Sequence, residues 1–233
     1  MGFPYYGWQI AIEATPVLMA TQLGIGLILY GEDGEVEYGG SVETEKDPIY
    51  NVQYVKQVYL EGGYNKVLDG SGIAEPDLRF FRFPDNERLS LSKVAITHWS
   101  YFENWDPYRN YLVAKEHCGL KEAENTNSGT FTNFAQNDQA LYILHAYLMY
   151  LKFGFGRANQ DACIEIRRGA MDREQAVNLV RLYDGLYPEE FIEMYLDYYQ
   201  MNQPEFDATL DHWANKELFK KVDGRWSPLF SVR

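Results

Sequence analysis

One stretch decides the fold of the C-terminal half of the chain: KFGFGRANQDACIEIRRGAMDREQAVNLVRLYDG, residues 152–185. It has helical periodicity over residues 159–168, and Gly169 then supplies the left-handed conformation that commonly ends a helix. Asp172, followed three positions later by Gln175, has the spacing of an N-cap and capping box that begin another helix. The stretch therefore predicts two helices joined by a tight turn.

Charged side chains are concentrated in this hairpin, although the chain as a whole has a formal net charge of −13. On a helical period Asp161, Glu165 and Arg168 share one face. One interpretation is a solvated, salt-bridged face, in which Arg157 and Arg173 pair with Asp161 or Glu165. The other is a site for an anionic ligand, because guanidinium groups match the geometry of phosphates and carboxylates.

Hydrophobic periodicity along the rest of the chain predicts mostly helices and two short strands. The predicted strands are residues 23–30, a continuous apolar and therefore buried run, and residues 93–99. A helix followed by a buried strand is half of a βαβ unit, which predicts an α/β segment at the start of the chain. The predicted helices are 7–22, 48–69, 106–117, 136–153, 188–200 and 204–220, with an irregular tail over 221–233.

Composition excludes several classes of protein. Apolar residues make up 46% of the 233 positions, which is enough for a sizeable core, and a pI near 4.7 disfavours nucleic-acid binding. Cys118 and Cys163 have no metal-ligand spacing and are predicted to be buried thiols in a reducing compartment. Polar residues interrupt the apolar run 9–30, so we predict neither a signal peptide nor a membrane span, and a cytoplasmic location.

Two further segments carry candidate site residues. The loop 31–47 contains seven acids and one lysine, which is typical of a solvated loop. It also follows a predicted strand, and α/β folds bind ligands at the carboxyl ends of their strands. The second strand brings His98, Trp99 and Tyr101 close together. A histidine there is more often structural, although it also suits proton transfer, and aromatic rings stack on sugars or bases.

Four segments of the chain carry a family resemblance. They are LYGEDGEVEYGG (29–40), THWSYFENWDPYRNY (97–111), GTFTNFAQNDQALYILHAYLMYLKFG (129–154) and the KFGFGRANQDACIEIRRGAMDREQAVNLV run. Together they resemble the N-acetyl sugar amidotransferase family, which acts in bacterial surface-polysaccharide and flagellin-sugar biosynthesis, and the resemblance covers most of the chain in matching order. It implies that residues 1–47 are the remnant of an α/β nucleotide-binding domain of the ATP-pyrophosphatase (HUP-like, PP-loop) type. Residues 48–233 would then be a mainly helical region for substrate or partner.

The resemblance implies an ATP-dependent reaction on a nucleotide-linked sugar in lipopolysaccharide O-antigen or related glycan biosynthesis. The N-acetyl carbonyl oxygen is adenylylated, and ammonia from a partner glutaminase displaces AMP to leave an acetamidino group. We expect no metal site within this chain. The residues expected to be catalytic are Glu32, Glu37 and Asp161. The residues expected to bind substrate are Arg157, Glu165, Arg167, Arg168, Asp138, His98, Trp99 and Tyr101.

The chain departs from the family pattern at one important place. Full-length members begin with a cysteine-rich segment and a Ser-Gly-Gly-x-Asp-Ser loop that holds the ATP phosphates, and neither is present here. The family uses ATP and magnesium, whereas we expect this chain alone to bind neither. It is expected to be the C-terminal part of an amidotransferase, as a truncation or as one half of a split enzyme.

Two alternative functions stay open at this point. The chain could be a non-catalytic helical module that docks a glutaminase. It could also belong to another ATP-pyrophosphatase relative such as a tRNA-modifying enzyme, although the negative net charge argues against tRNA. The sequence does not specify which sugar is modified, and a homo-oligomer is compatible with it.

Overall fold

The structure, a computed structural model, describes residues 2–32, 34, 47–135 and 140–233. The chain divides into two compact units. The N-terminal unit runs from Tyr6 to Trp105, and the C-terminal unit comprises Asp106–Arg233 with the short segment that precedes Tyr6. The domain boundary suggested by the sequence, at residue 47, falls inside the N-terminal unit. The architecture is mixed α/β, with small sheets and a helical C-terminal region.

The N-terminal unit combines short helices with a three-stranded sheet. Its elements are α1 (Tyr6–Leu23), β1 (Leu27–Tyr30), β2 (Tyr50–Asn51), α2 (Val52–Tyr54) with a π-helical turn (Val55–Tyr59), α3 (Tyr64–Asp69), a 3₁₀ turn (Glu75–Phe80), α4 (Asn86–Ser92), β3 (Ala95–His98) and a 3₁₀ turn (Trp99–Tyr101). The strand order is β1-β3-β2. Strand β1 runs parallel to β3 with Tyr30 opposite His98, and β2 runs antiparallel to β3.

Pro16 decides how α1 is tied to the sheet. Proline has no N–H, so the carbonyl of Ile12, one helical turn earlier, loses its usual donor. The Tyr30 hydroxyl donates to this carbonyl at 2.9 Å, which joins the middle of α1 to the end of β1. The predicted helix is confirmed, and three of its residues are fully buried: Ile10, Ala14 and Val17.

The C-terminal unit is built mainly from helices, and its described buried apolar residues form a large cluster, the core, and a smaller separate one. Its elements are α5 (Pro107–Cys118), α6 (Ala140–Phe153), α7 (Arg157–Arg167), α8 (Arg173–Tyr183), a 3₁₀ turn (Glu189–Phe191), α9 (Ile192–Tyr199), α10 (Gln203–Trp213), β4 (Phe219–Val222) and β5 (Arg225–Pro228). Leu151, Tyr195 and Phe219 lie almost fully buried in the core. Across the described part of the chain, none of the helices combines the length and apolar character that crossing a bilayer requires.

The predicted hairpin of α7 and α8 is confirmed. Gly169 adopts a φ of 77° just after α7, which only glycine adopts readily. The side chain of Asp172 accepts from the N–H of Gln175, and the side chain of Gln175 accepts from the N–H of Asp172, which completes the capping box. The helix predicted near residues 106–117 is also confirmed, with Asp106 as its N-cap.

Three predictions about exposure and regularity are wrong. Strand β1 is not buried, because it is an edge strand of the described sheet and Leu27 and Leu29 are both about half exposed. The two cysteines are exposed as well. The tail 221–233 is not irregular, because β4 and β5 pair there as an antiparallel hairpin.

The helix predicted over residues 48–69 is interrupted. Tyr50 and Asn51 pair with β3 as a strand, and the Asn51 side chain then accepts from the N–H of Tyr54. The following turn is π-helical and ends at Tyr59. Sheet pairing therefore competes with helical periodicity at the start of this segment, and the sheet prevails.

Candidate functional site

A buried ion pair lies in the first turn of α7. Arg157 Nε is 2.7 Å from Asp161 Oδ1, and only 13% and 9% of these side chains are exposed. Their spacing of four residues places them on one helix face. The Thr130 hydroxyl donates to Asp161 Oδ2 at 2.6 Å. Asp161 is therefore held from two directions, and the predicted pairing of Arg157 with an acid of the hairpin is confirmed.

Tyr142, on α6, contacts Arg157 as well. Arg157 Nη1 donates to the Tyr142 hydroxyl, and the guanidinium carbon lies 5.5 Å from the centroid of the tyrosine ring. The guanidinium thus has a carboxylate, a hydroxyl and an aromatic face around it. These contacts fix its orientation and connect α6 to α7.

A second ion-pair group lies at the other end of α7. Arg168 donates from Nε to Glu165 Oε2 at 2.8 Å and from Nη1 to Asp106 Oδ2 at 3.0 Å. The other oxygen of Asp106 accepts from the N–H of Arg109 at 3.0 Å. Asp106 therefore caps the start of α5 and at the same time binds the arginine that follows α7.

Tyr108 joins the two ion-pair groups into one network. Its ring centroid lies 5.4 Å from the Arg168 guanidinium carbon. Burial raises the pKa of Tyr108, and the charges of Glu165 and Asp161 raise it further against the opposing charge of Arg168. Asp161 and Glu165 are four residues apart on α7 and therefore share one helix face. We call these residues the α7 network: Asp106, Tyr108, Thr130, Tyr142, Arg157, Asp161, Glu165 and Arg168.

The α7 network is salt-bridged but not solvated, so the solvated interpretation of this face is wrong. Asp161 and Glu165 are 7% and 5% exposed. Arg167, in contrast, is exposed and has no ion-pair partner within the described ranges. In the same part of the chain Nη2 of Arg168 makes no hydrogen bond. Arg167 and Arg168 therefore keep donors that an anionic ligand could use.

Arg173 does not join the α7 network. Its Nη2 donates to the main-chain oxygen of Arg233 at 2.8 Å. The prediction that Arg173 pairs with Asp161 or Glu165 is wrong, because the chain reverses at Gly169 and the first residue of α8 meets the C-terminal segment instead. Arg181, further along α8, donates to the carbonyl of Val232 in the same way.

Sequence reasoning missed Asp184, the residue that follows α8 and precedes Gly185. Its carboxylate accepts from the N–H groups of Gly156 at 2.8 Å and Asn159 at 3.4 Å, where α7 begins. Burial raises the pKa of Asp184 to about 6 against the effect of these backbone bonds. A Cβ at Gly156 would lie 2.7 Å from Asp184 Oδ1. The Gly-Phe-Gly segment thus binds a carboxylate of its own chain at a helix N-terminus.

His98 lies at the end of β3 in the N-terminal unit and is 2% exposed. The rings of Tyr30 and Tyr50 stack on its imidazole, with centroids 5.5 Å away in each case. Burial lowers the pKa of His98 to about 4, so the ring is neutral at pH 7. Its Nδ1 shares a hydrogen bond with the Tyr50 hydroxyl at 2.7 Å. Gly34 packs on the imidazole, since a Cβ there would lie 2.4 Å from Nδ1.

The other predicted site residues are distributed over the chain. Trp99 is 42% exposed, and its indole donates to Glu103 at 3.0 Å. Tyr101 is half-buried in the same 3₁₀ turn. Glu37 and Asp138 lie outside the described residues. The structure therefore brings Arg157, Asp161, Glu165 and Arg168 together in the C-terminal unit and places Glu32, His98, Trp99 and Tyr101 in the N-terminal unit.

Glu13 is a second residue that sequence reasoning missed. It lies on the buried face of α1 and is 2% exposed. Burial raises its pKa to about 8, the charge of Glu32 raises it further, and the hydrogen bond with Tyr30 acts in the opposite direction. Its place beside Ile10 and Ala14 in the helical repeat was the available signal. Glu32 lies in the same unit and follows the carboxyl end of β1.

The chemistry open to these groups is limited. The C-terminal unit offers guanidinium donors to an anion, and the N-terminal unit offers a protonatable acid and a neutral imidazole. Within the described ranges, no three His, Cys, Asp or Glu side chains converge in a way that could hold a metal ion.

Comparison with known proteins finds a related family for the C-terminal part of the chain. Residues 128–232 match the family model for the C-terminal domain of WbpG-like LPS biosynthesis proteins. No curated protein matches the chain. The match covers α6 to β5 together with Thr130, and so includes most of the α7 network. The match covers less than half of the chain and is consistent with the C-terminal part of a protein of the sugar amidotransferase family.

Proposed function

We propose that this chain, whose residues 128–232 match the C-terminal domain of WbpG-like LPS biosynthesis proteins, supplies the C-terminal portion of an ATP-dependent amidotransferase. The complete enzyme would convert the N-acetyl group of a nucleotide-linked sugar to an acetamidino group. The ammonia would come from a partner glutaminase in the cytoplasm. The product would enter lipopolysaccharide O-antigen or a related glycan.

The observation that carries the proposal is the family match across the α7 network. A nucleotide-linked sugar carries a diphosphate, and arginine is the side chain best suited to bind it. Arg168 is held in place by Glu165 and Asp106, so its remaining donors are oriented in advance. Arg167 adds a second, exposed cation at the next position. We assign the binding of the diphosphate to these two arginines.

The described residues do not fit ATP by themselves. The N-terminus of α7, which follows the glycine segment, is occupied by Asp184, and the sequence has no Ser-Gly-Gly-x-Asp-Ser loop. We therefore derive no step through ATP or magnesium in this chain. The parallel pairing of β1 with β3 is the arrangement expected of a remnant of an ATP-pyrophosphatase domain, with Glu32 at the carboxyl end of β1.

The function is tested with the complete protein that contains this chain. Nucleotide-linked N-acetyl sugars, ATP and ammonium are supplied, and mass spectrometry follows the replacement of one oxygen of the sugar by NH. AMP and pyrophosphate are measured in parallel. We expect amidine formation that depends on ATP. If the complete protein leaves every such sugar unchanged but binds a glutaminase, the chain is a docking module and the proposal is wrong.

Arg167 allows a separate test of the diphosphate assignment. Arg167→Ala is expected to weaken binding of the nucleotide sugar to the complete enzyme about tenfold, as the loss of one charge-assisted hydrogen bond does. The unfolding free energy of this variant should fall by no more than about 1 kcal/mol. The Arg167 side chain is exposed, and its removal costs only the favourable interaction of a cation with the C-terminal end of the helix dipole. Calorimetric titration and thermal unfolding measure the two effects.

The matched control is Lys216→Ala, which removes an exposed cation from the same unit outside the hairpin. It should leave the affinity for the nucleotide sugar unchanged. Equal losses of affinity in the two variants would mean that only the net charge of the protein matters. A large fall in melting temperature for Arg167→Ala with unchanged affinity would assign this arginine to the fold.

A further inference from the structure

Tyr108 places an aromatic ring beside the arginines that keep donors for an anionic ligand. Its ring centroid lies 5.4 Å from the guanidinium carbon of Arg168, and both residues belong to the C-terminal unit. The Tyr108 side chain is not enclosed by this contact, because the residue remains 39% exposed. An aromatic surface that is open to solvent therefore borders the guanidinium group of Arg168.

A second aromatic contact holds the Tyr108 ring in place. Phe134 packs against it in an edge geometry, with centroids 5.1 Å apart and an angle of 68° between the ring planes. Tyr111 stacks in turn on Phe134, with centroids 4.4 Å apart. The ring of Tyr108 is thus fixed between Phe134 and Arg168, and a ring that is already oriented binds a ligand at a lower entropic cost.

Helix α5 carries apolar side chains that the fold does not bury. None of its twelve residues is buried, although a helix of a globular protein normally buries an apolar stripe. Leu112 lies one turn after Tyr108 on the same face of α5 and is 60% exposed. We call Tyr108 and Leu112 the α5 strip. It is an exposed apolar surface that begins beside Arg168.

We infer that the α5 strip binds the base of the nucleotide-linked sugar, with the base stacked on Tyr108. The inference rests on the proposed function, in which Arg167 and Arg168 bind the diphosphate. One ribose separates the base of a nucleotide from its diphosphate, so the base lies near the arginines when the diphosphate is bound. Bases have flat π faces that stack on aromatic side chains, and Tyr108 is the ring next to Arg168.

The charges around the strip are compatible with a diphosphate. Glu165 and Asp106 each accept a hydrogen bond from Arg168, so both carboxylates are paired. Burial raises the pKa of Tyr108, and the charge of Glu165 raises it further. The phenol is therefore neutral at pH 7, and the ring adds no negative charge beside the anion.

The experiment measures the binding of UDP and of inorganic pyrophosphate to this chain by calorimetric titration. Both probes carry a diphosphate, but only UDP carries a base. Tyr108→Leu is expected to weaken UDP binding about tenfold, as the loss of a base–aromatic stack does, and to leave pyrophosphate binding unchanged. Tyr108→Phe keeps the ring and should retain the affinity for UDP, because the Tyr108 hydroxyl makes no hydrogen bond within the described ranges.

The matched control is Tyr198→Leu, which removes a tyrosine that is 64% exposed in the same unit. It should leave UDP binding unchanged, and an equal loss in this variant would overturn the inference. If Tyr108→Leu does not fold, Leu112→Ser replaces it, because Leu112 is exposed. This variant should also weaken the binding of UDP and leave that of pyrophosphate unchanged.

Each remaining outcome contradicts the inference. Equal weakening of both probes by Tyr108→Leu would mean that Tyr108 only holds Arg168 in place. Unchanged binding of both would mean that the base does not stack on Tyr108, and a natural chain that binds no UDP would have no nucleotide site on the α5 strip.

The assay needs neither ATP nor sugar, so its result is independent of the proposed reaction. UDP binding that depends on the Tyr108 ring, in a complete protein that forms no amidine, would contradict the proposed function alone. Amidine formation by a complete protein whose UDP binding does not depend on Tyr108 would contradict this inference alone.

Discussion

Replacing Arg157 by alanine is expected to destabilise the C-terminal unit by about 3–5 kcal/mol, which is the usual cost of leaving one member of a buried ion pair uncompensated. Asp161 would keep only the Thr130 hydroxyl at 2.6 Å, and its charge would stay in a site that is 9% exposed. The melting temperature should fall by on the order of 10 °C. Calorimetry or denaturant unfolding at neutral pH measures the loss.

Further variants distinguish the cost of an unpaired buried charge from the cost of lost packing. Asp161→Asn keeps an acceptor for Thr130 but leaves the Arg157 charge without its carboxylate, so it should cost nearly as much. The double replacement Arg157→Met with Asp161→Leu removes both charges and should cost less than either single change. Arg167→Ala, at the exposed end of α7, is the control and should cost about 1 kcal/mol or less. If Arg157→Ala costs as little as the control, the α7 network does not stabilise the fold.

The hairpin that carries this network could be predicted because its determinants are local. Gly169, Asp172 and Gln175 act on neighbours within three or four residues, and such signals are present in the sequence itself. The pairing of Arg157 with Asp161 is of the same kind, at four residues. The assignment of Arg173 failed for the opposite reason, since its actual partner is 60 residues away.

Long-range partners account for most of what was missed at the site. Arg168 finds Asp106 at a separation of 62 residues, and Asp184 reaches back to Gly156 over 28 residues. Nothing local distinguishes these acids from solvated ones. Their roles depend on how helices pack, which periodicity alone does not determine.

The β-hairpin at the end of the chain is a different case, because its signal was present. Asp223 and Gly224 join β4 to β5 with φ angles of 49° and 80°. An Asp-Gly pair with two positive φ angles is the favoured two-residue turn between antiparallel strands. The flanking segment is rich in lysine, and its apolar and polar residues alternate little, so the hydrophobic pattern does not predict the two strands. The turn residues were therefore more informative than the hydrophobic pattern.

Strand β1 shows the limit of reading burial from composition. Its sequence LILY is continuous and apolar, as is typical of a strand covered on both faces. It lies at the edge of the sheet that the described residues form, and Leu27 and Leu29 are exposed. Apolar character predicts what a strand can bury, whereas its neighbours in the sheet decide what it does bury.

Glu13→Gln is expected to stabilise the protein increasingly as the pH rises from 5 to 8. Glu13 has its pKa raised to about 8 in the folded state, against an ordinary value of 4.5. Between these values the folded state holds a proton that the unfolded state has released, so stability falls as the pH rises through this window. At 1.36 kcal/mol per pKa unit the loss reaches roughly 4 kcal/mol by pH 8. Glutamine does not titrate, so the variant does not lose this stability as the pH rises.

The measurement is the difference in unfolding free energy between the variant and the natural chain, at half-unit steps from pH 5 to pH 8 in sodium chloride. Taking the difference removes the contributions of His98 and Asp184, which titrate equally in both proteins. The introduced glutamine can still accept from Gln9, and its amide can donate to the Tyr30 oxygen, so the packing is conserved. Glu87→Gln, whose carboxylate is exposed, should show a small difference that does not change over this range. A flat difference for Glu13→Gln as well would mean that Glu13 is already ionised in the folded protein at pH 5, which would contradict the raised pKa.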